Sequence, residues 1–442
     1  MTEPLVVALL GFGNVGSSVW QLIEERSRRL GWAAGRPIAV RRALVREPGK
    51  TRPVTPPPGF LTTDLDELLD DPAVEVVVEL MGGLEPAGSY VRRALAAGKS
   101  VVTANKELIA HHGPELLRLA REHGAQLRFE ASVGAGIPII RPIEEMLVAN
   151  RITRVTGILN GTTNYIVSRM ASAGATFREA LAEAQELGYA EPDPSDDVEG
   201  RDTARKLAIL ASYAFGSWVS PEAVYTEGIT ALDPVDLGYA AQLGYAVRLV
   251  GTAIHREAGI EARVHPALVP LDHPLASVRG AANAIFVEGD PVGELMFYGL
   301  GAGGYATASA ILGDLVQVAR GSRPWRPEPR SGADALPVLP ADAIRSAYYL
   351  RLEVADSPGT LAALAGAMAR HGISLRQVLQ MRSQGERAEV VFVTHPAREA
   401  EMRQAREDVE ALPSVYRVAS LLRYHDGSQA ALSPEAGGLR HP

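Results

Sequence analysis

LVVALLGFGNVGSSVWQLIEE, Leu5 to Glu25, is the stretch whose reading decides the fold. An apolar strand from Leu5 to Leu10 runs into a glycine turn and then into a helix. Gly11, Gly13 and Gly16 stand in GxGxxG spacing, with Phe12, Asn14 and Val15 between them. Each glycine has a mechanical reason, in order a tight turn, close backbone approach to a pyrophosphate, and close packing of helix on strand, with phosphate at the helix N-terminus. The spacing alone is weak. Here a strand precedes it, a helix follows, and a second strand, Ile38 to Val45, arrives at βαβ distance, so a dinucleotide site is predicted. Beyond that second strand, RRALVREPGK places Arg46 near the position where an acidic side chain would hold the ribose 2′-OH of NAD, with Lys50 behind it. Basic groups there suit a 2′-phosphate, so NADP is expected, with NAD the alternative.

Working outward, the proline run Arg52 to Phe60 reads as a stiff loop, DLDELLDD as a short helix, and VEVVVELMGG as a buried strand. A helix over Ala87 to Ala97 leads to a strand that stops at Thr103, placing Asn105 and Lys106 at its carboxyl end. That edge is where open α/β sheets bind ligands. A helix over Gly113 to Glu122 and a strand over Gln126 to Glu130 complete a Rossmann-type domain, residues 1–135. Residues 136–320 mix helices and strands without βα alternation and read as an α+β substrate domain. Within it YAVRLVGTAI, Tyr245 to Ile254, reads as a helix leading into a strand, and IEARVHPALV as another strand. The Pro-, Arg- and Gly-rich stretch within 321–342 reads as a linker. Residues 343–425 follow in the order β-α-β-β-α-β, which is ferredoxin-like. Residues 426–442 read as a disordered tail. The fold class is α/β, with a Rossmann-type first domain and a ferredoxin-like last one.

Composition narrows the chemistry. The 442 residues suit two or three domains, and 46% hydrophobic residues can fill several cores. A net charge of −8 with scattered arginines offers nucleic acid no basic face. No apolar run is long enough to cross a membrane, and Met1 to Pro4 leads straight into a strand, so a cytoplasmic protein with neither nucleic-acid nor membrane partners is expected. The absence of cysteine excludes disulfides, thiolate metal sites and cysteine nucleophiles. Only four of the 44 basic residues are lysines: Lys50, Lys99, Lys106 and Lys206. A guanidinium cannot give up a proton at working pH, so a lysine in this background marks a place where a titratable amine is wanted.

The densest polar stretch is EPDPSDDVEGRDTARKLAIL, Glu191 to Leu210. Asp202 and Lys206 are four apart at the start of a helix and share a face. Exposed, such a pair is worth about 0.5 kcal/mol and means little. Ala204, Leu207, Ala208 and Ala211 bury this helix, and a buried amine held by a carboxylate can serve as a general acid or base.

Taken together, GFGNVG, TANKELIA, EASVGAGIPII (Glu130 to Ile140), GILNGTTNYI (Gly157 to Ile166), LGYAEPDPSDDVEGRDTARKLAIL and YTEGI (Tyr225 to Ile229) resemble homoserine dehydrogenase over residues 4 to 320, followed by an ACT domain. The resemblance implies that Lys206 moves the proton at the substrate hydroxyl or carbonyl and that Asp202 orients it. It places Lys106 between nicotinamide and substrate, and Thr103 beside the cofactor. Glu191, with Gly188 and Tyr189, would hold the substrate amino group, while Asp196 and Asp197 add hydrogen bonds. Glu130, Val133, Ala135 and Ile137 match a site where backbone carbonyls hold a monovalent cation, with sodium the expected ion. The family's GPGAG and its proline before TAS are replaced here by Leu300 and Ala306, which leaves the 299–309 loop open. VADSPGTLAAL, Val354 to Leu364, matches the ACT turn that meets an amino acid, with threonine the expected effector, and the edge strands of an ACT domain suggest a homodimer or homotetramer.

Two other functions compete. A phosphorylating semialdehyde dehydrogenase needs a cysteine nucleophile, which this chain lacks. A catalytically silent amino-acid sensor needs no Lys106, Glu191, Asp202 and Lys206 together.

Overall fold

Leu5 to Glu25 folds as read: strand β1 (Leu5–Leu10) turns at Gly11 into helix α1 (Asn14–Glu25). The structure, a computed structural model, describes residues 3–322 and 328–425. After helix α2 (Ser27–Ala34) come strands β2 (Ile38–Leu44) and β3 (Leu61–Thr62), helix α3 (Asp66–Leu69), strand β4 (Val76–Glu79), helix α4 (Ala87–Ala96), strand β5 (Ser100–Thr103), helix α5 (Lys106–Glu122) and strand β6 (Leu127–Arg128). The strands form one parallel sheet ordered β3-β2-β1-β4-β5-β6. The strand order reverses between β1 and β4, and the crevice outside that point is where such sheets take ligands.

Helix α5 begins at Lys106, seven residues before the predicted start at Gly113. The Asn105 side chain accepts from Leu108 N at 3.0 Å, a cap worth about 1 kcal/mol. Gly113 and Pro114 lie inside the helix rather than at its start. Gly113 is required for packing: a Cβ there would come within 2.1 Å of the Trp218 ring.

The second unit comprises strand β7 (Arg151–Ile158), helices α6 (Gly161–Ala173), α7 (Phe177–Glu186), α8 (Ser195–Val198) and α9 (Arg201–Phe215), strand β8 (Tyr225–Thr226), helix α10 (Pro234–Gln242), strands β9 (Tyr245–Arg256), β10 (Gly259–Pro270), β11 (Ala282–Asp290) and β12 (Gly293–Leu300), and helix α11 (Gly304–Ala319). Tyr245 to Ile254 is strand throughout, correcting the helix read into its first half. Both faces of β9 are buried, which erases the alternation that marks a half-exposed strand. Helix α11 packs back on the nucleotide sheet, its Ala308, Ile311, Leu312 and Leu315 joining Val19 and Ile23 of α1 in one core.

The last unit runs β13 (Arg345–Ser346), β14 (Tyr348–Ala355), α12 (Thr360–Arg370), β15 (Leu375–Gln384), β16 (Arg387–Thr394), β17 (Ala397–Arg398), α13 (Glu399–Glu410) and β18 (Val415–Tyr424). Its main strands lie in the order β18-β14-β16-β15, the ferredoxin-like arrangement. This sheet does not stand apart. Strand β18 pairs with β10 through Ala267↔Arg423 and Leu268↔Tyr424, joining it to the substrate domain in one ten-stranded sheet. Of the stretch read as a linker, residues 323–327 lie outside the described residues, as does the 426–442 tail.

Candidate active site

A cavity of about 790 Å³ opens at the switch point between β1 and β4. Val15, Leu80, Met81 and Gly82 line the nucleotide side, with Ala104 to Lys106 at the tip of β5. Asn160 to Thr162, Gly188, Tyr189, Glu191, Asp197, Asp202 and Lys206 line the opposite side.

The turn fits a dinucleotide. Gly13 caps α1 without any side-chain hydrogen bond, leaving first-turn N–H groups to a ligand, and the space a Cβ would take at Gly13 is open. Gly11 lies at φ +108 against Leu80, and at Gly16 a Cβ would meet Gly11 O at 2.3 Å. Gly16→Ala is therefore expected to weaken nicotinamide dinucleotide binding by tenfold or more, on the order of 1.4 kcal/mol, as read by titration of the intact protein. An unchanged dissociation constant contradicts that role. Thr103 is fully buried and does not line the cavity; its hydroxyl donates to Glu79 Oε2 at 2.5 Å and accepts from Asn105 N at 2.9 Å, bracing the turn that presents Lys106. Arg46 and Lys50 are exposed on the loop past β2, a loop that Arg52 ties together through the carbonyls of Glu47, Pro48 and Lys50.

The charged end of the cavity centres on Asp202, 3% exposed. Its Oδ1 lies 2.9 Å from Lys106 Nζ, and its Oδ2 accepts from Lys206 Nζ at 2.7 Å and from Asn160 Nδ2 at 2.9 Å. Lys206 also donates to Leu159 O at 2.8 Å, which fixes its ammonium at the cavity wall. Burial alone would push the Asp202 carboxyl up, yet Lys206, Lys106 and the hydrogen bonds from Lys206 and Asn160 hold it well below the usual carboxylate range. At Lys106, burial disfavours the charge, but Asp202 outweighs it and the amine is held above its ordinary value. Asp197, pushed up by burial and by the Asp202 charge, accepts from Asn160 at 2.6 Å.

Asn160 lies within the GILNGTTNYI motif, yet sequence reasoning gives it no role. It caps α6 and joins both carboxylates at once, and the cap-forming Asn-Gly-Thr-Thr run is the signal that points to it. Asp196 departs from its expected place: it is bound by Arg201 and Arg205 and does not line the cavity, so it supports the α8 to α9 turn rather than the reacting end. Glu191 and Tyr189 stand at the cavity rim, Tyr189 with its ring 4.8 Å from that of Tyr165. Gly188 takes φ +74 in the turn between them and α7.

Leu300 to Gly303 closes one side of the cavity. Leu300 is exposed, and Ala306 sits in the first turn of α11, where a helix accepts either alanine or proline because that N–H has no intrahelical partner.

Below the cavity, Glu130, Val133, Ala135 and Ile137 are all buried. The carbonyls of Val133, Ala135 and Ile137 accept no hydrogen bond from the described residues, and Ala135 holds φ +48 beside Gly134 at φ +70. Buried carbonyls without donors fit a monovalent cation. The Glu130 carboxylate is committed elsewhere, accepting from Ile139, Ile140 and Arg141 N. A second cavity of about 370 Å³ lies behind this loop, where burial pushes Glu144 up to about 8 and Asp314 up to about 7.

Comparison with known proteins agrees with the geometry. Family models described as "Homoserine dehydrogenase, NAD binding domain", "Homoserine dehydrogenase" and "ACT domain" match residues 11–130, 138–316 and 348–414. A homoserine dehydrogenase of Synechocystis is 43% identical over 430 residues, covering 94% of this chain and 98% of that protein. The crystal structure of a homoserine dehydrogenase from Thiobacillus denitrificans superposes with a TM-score of 0.90 at 43% identity, covering 96% of this chain and 98% of the other. A hyperthermophilic archaeal homoserine dehydrogenase in complex with NADPH gives 0.63 at 29% identity, covering 73% of this chain and 100% of its own.

Proposed function

This chain belongs to the homoserine dehydrogenase family, an oxidoreductase with a nicotinamide-binding domain and an ACT domain, and from that premise we propose that its cavity interconverts L-homoserine and L-aspartate 4-semialdehyde with NADP in preference to NAD, within threonine and methionine biosynthesis. The observation that carries the reading is the pair of lysine amines converging on one buried carboxylate at the sheet's switch point.

The nicotinamide, when bound, supplies the hydride acceptor in oxidation and the hydride donor in reduction. The residues do the rest. In oxidation one bond to hydrogen at the alcohol carbon and the O–H bond both break as the carbonyl forms. Lys206 Nζ, in its amine form, takes the hydroxyl proton; as ammonium it returns that proton to the carbonyl oxygen in reduction. Asp202 and Leu159 O aim Lys206, and Asp202 keeps Lys106 charged beside the substrate. Glu191 at the rim, with Gly188 and Tyr189, receives the substrate ammonium, and Asp197 accepts a further hydrogen bond. Gly11 to Gly16 cradle the pyrophosphate. Arg46 and Lys50 are the cations available to a 2′-phosphate, and the NADPH complex of the archaeal relative supports that choice.

The carbonyls of Glu130, Val133, Ala135 and Ile137 would hold sodium, bracing the junction between nucleotide and substrate domains. Threonine is the proposed effector at the Asp356 to Gly359 turn. A homodimer or homotetramer is the proposed assembly, formed through exposed edge strands. Among the described residues no helix is long and apolar enough to cross a membrane; a cytoplasmic enzyme is the reading that follows from its substrates.

Initial rates of homoserine oxidation with NAD and with NADP, each with and without threonine, test this set. Turnover faster with NADP and slowed by threonine is expected. No oxidation with either cofactor contradicts the activity, and an unchanged rate with threonine contradicts the effector alone.

A further inference from the structure

Arg423, 2% exposed in the last strand of the ACT unit, is bonded into the substrate domain as well as into its own. Its Nη1 donates to Glu227 Oε2 at 2.7 Å and its Nη2 to Glu227 Oε1 at 2.9 Å, a bidentate pair. Nη2 also donates to Tyr225 OH at 3.0 Å, while Nε donates to Glu399 Oε2 at 2.9 Å. Glu227 belongs to the Tyr225 to Ile229 turn, a motif with no part in the chemistry so far.

That turn is clamped onto the catalytic elements. Glu227 N donates to Val264 O at 2.8 Å, and Ile229 N donates to Val198 O at 2.8 Å. Gly228 sits so close that a Cβ would come within 2.1 Å of Val198 O and 2.5 Å of Glu199 Cα. Gly200, at φ +85, faces Thr226 and the Glu227 carbonyl, where a Cβ would lie 3.1 Å from Thr226 Cγ2 and 3.3 Å from Glu227 O. Val198 to Gly200 is the joint between α8 and α9, with Asp197 on one side and Asp202 on the other. A backbone-tight contact has little freedom to absorb a shift, so displacement of Glu227 passes to both carboxylates.

We propose that Arg423 is a positioning residue: through Glu227 and the Gly228 contact it sets the α8 to α9 joint, so that the ACT sheet and the Asp202 cluster move as one unit. This rests on the proposed roles of Asp197, Asp202 and Lys206. Any ligand that moves β18 has in this route a direct mechanical path to the reacting lysines.

A second buried arginine supplies the control. Arg351 of β14 also ties the ACT unit to the substrate domain, through Asp236 and Asp233 of the α10 region, which contributes nothing to the cavity lining. The intact protein is produced with ¹³C,¹⁵N-lysine, which labels its four lysines without altering their amines, in wild type, Arg423→Gln, Glu227→Gln and Arg351→Gln. Expected are shifted Lys106 and Lys206 resonances in Arg423→Gln and Glu227→Gln with Lys50 and Lys99 unmoved, a kcat loss of about tenfold, and a double variant no slower than the worse single one. Arg351→Gln is expected to lower the melting temperature while leaving those resonances and kcat as in wild type. Folded Arg423→Gln and Glu227→Gln with unmoved resonances and normal kcat overturn the proposal, as does an Arg351→Gln that shifts them equally; should Arg423→Gln not fold, Glu227→Gln decides. Wild-type protein that oxidises no homoserine overturns the activity instead, and the lysine resonances then still decide the coupling.

Discussion

Lys206→Met is expected to lower kcat for homoserine oxidation by about 10³-fold, within the range by which a positioned general acid or base accelerates a reaction, with nicotinamide dinucleotide affinity unchanged. The size follows from the geometry. Lys206 Nζ is held by Leu159 O and by Asp202 Oδ2 at the wall of the cavity, and the mechanism gives its role to no other group. The substitution does not strip Asp202 of its partners, because Lys106 and Asn160 stay on the same carboxylate. Folding should therefore survive, and a near-normal kcat in the methionine variant would show that the proton is handled elsewhere.

Asp202→Asn is expected to be nearly as damaging, with kcat lowered by about 10²-fold and stability lowered as well. It removes the anion that lets two ammonium groups share one buried place, leaving Lys106 and Lys206 with no carboxylate between them. The stability effect carries a pH signature. Wild-type Asp202 has its carboxyl pKa held below the unfolded value of 3.8, so its stabilising contribution is present above that pH and is lost as pH falls through the lower, folded value. Melting temperatures should differ most near neutrality and converge in acid. A constant difference at every pH would mean that Asp202 acts by packing alone.

Some of this was legible in the chain and some was not, for physical reasons. The GFGNVG turn is local: its strand, glycines and helix lie within 21 residues, and Gly11 and Gly16 each answer to a contact that a side chain would spoil. Lys206 and Asp202 are legible as a helical pair because four residues bring them onto one face, and the scarcity of lysine marks them further. Asn160 is 42 residues from Asp202 and 37 from Asp197, so only the fold brings it to both carboxylates. Asp196 misleads because it stands in a stretch dense in acids, whereas its partners in space are Arg201 and Arg205. Strand β9 lost its period by burial on both faces. The fusion of the ACT sheet with the substrate domain depends on two residue pairs between β10 and β18, more than 150 residues apart, and on a buried arginine that bonds both to the Tyr225 to Ile229 turn and to α13.

The most direct test of the central claim follows the hydrogen itself. Incubating the enzyme with NADP and homoserine deuterated at its alcohol carbon, and weighing the reduced cofactor, should find one deuterium transferred to the nicotinamide, with the proton from the hydroxyl lost to solvent. Reduced cofactor without deuterium, or no reduced cofactor with either NADP or NAD, would contradict hydride transfer from homoserine in this cavity.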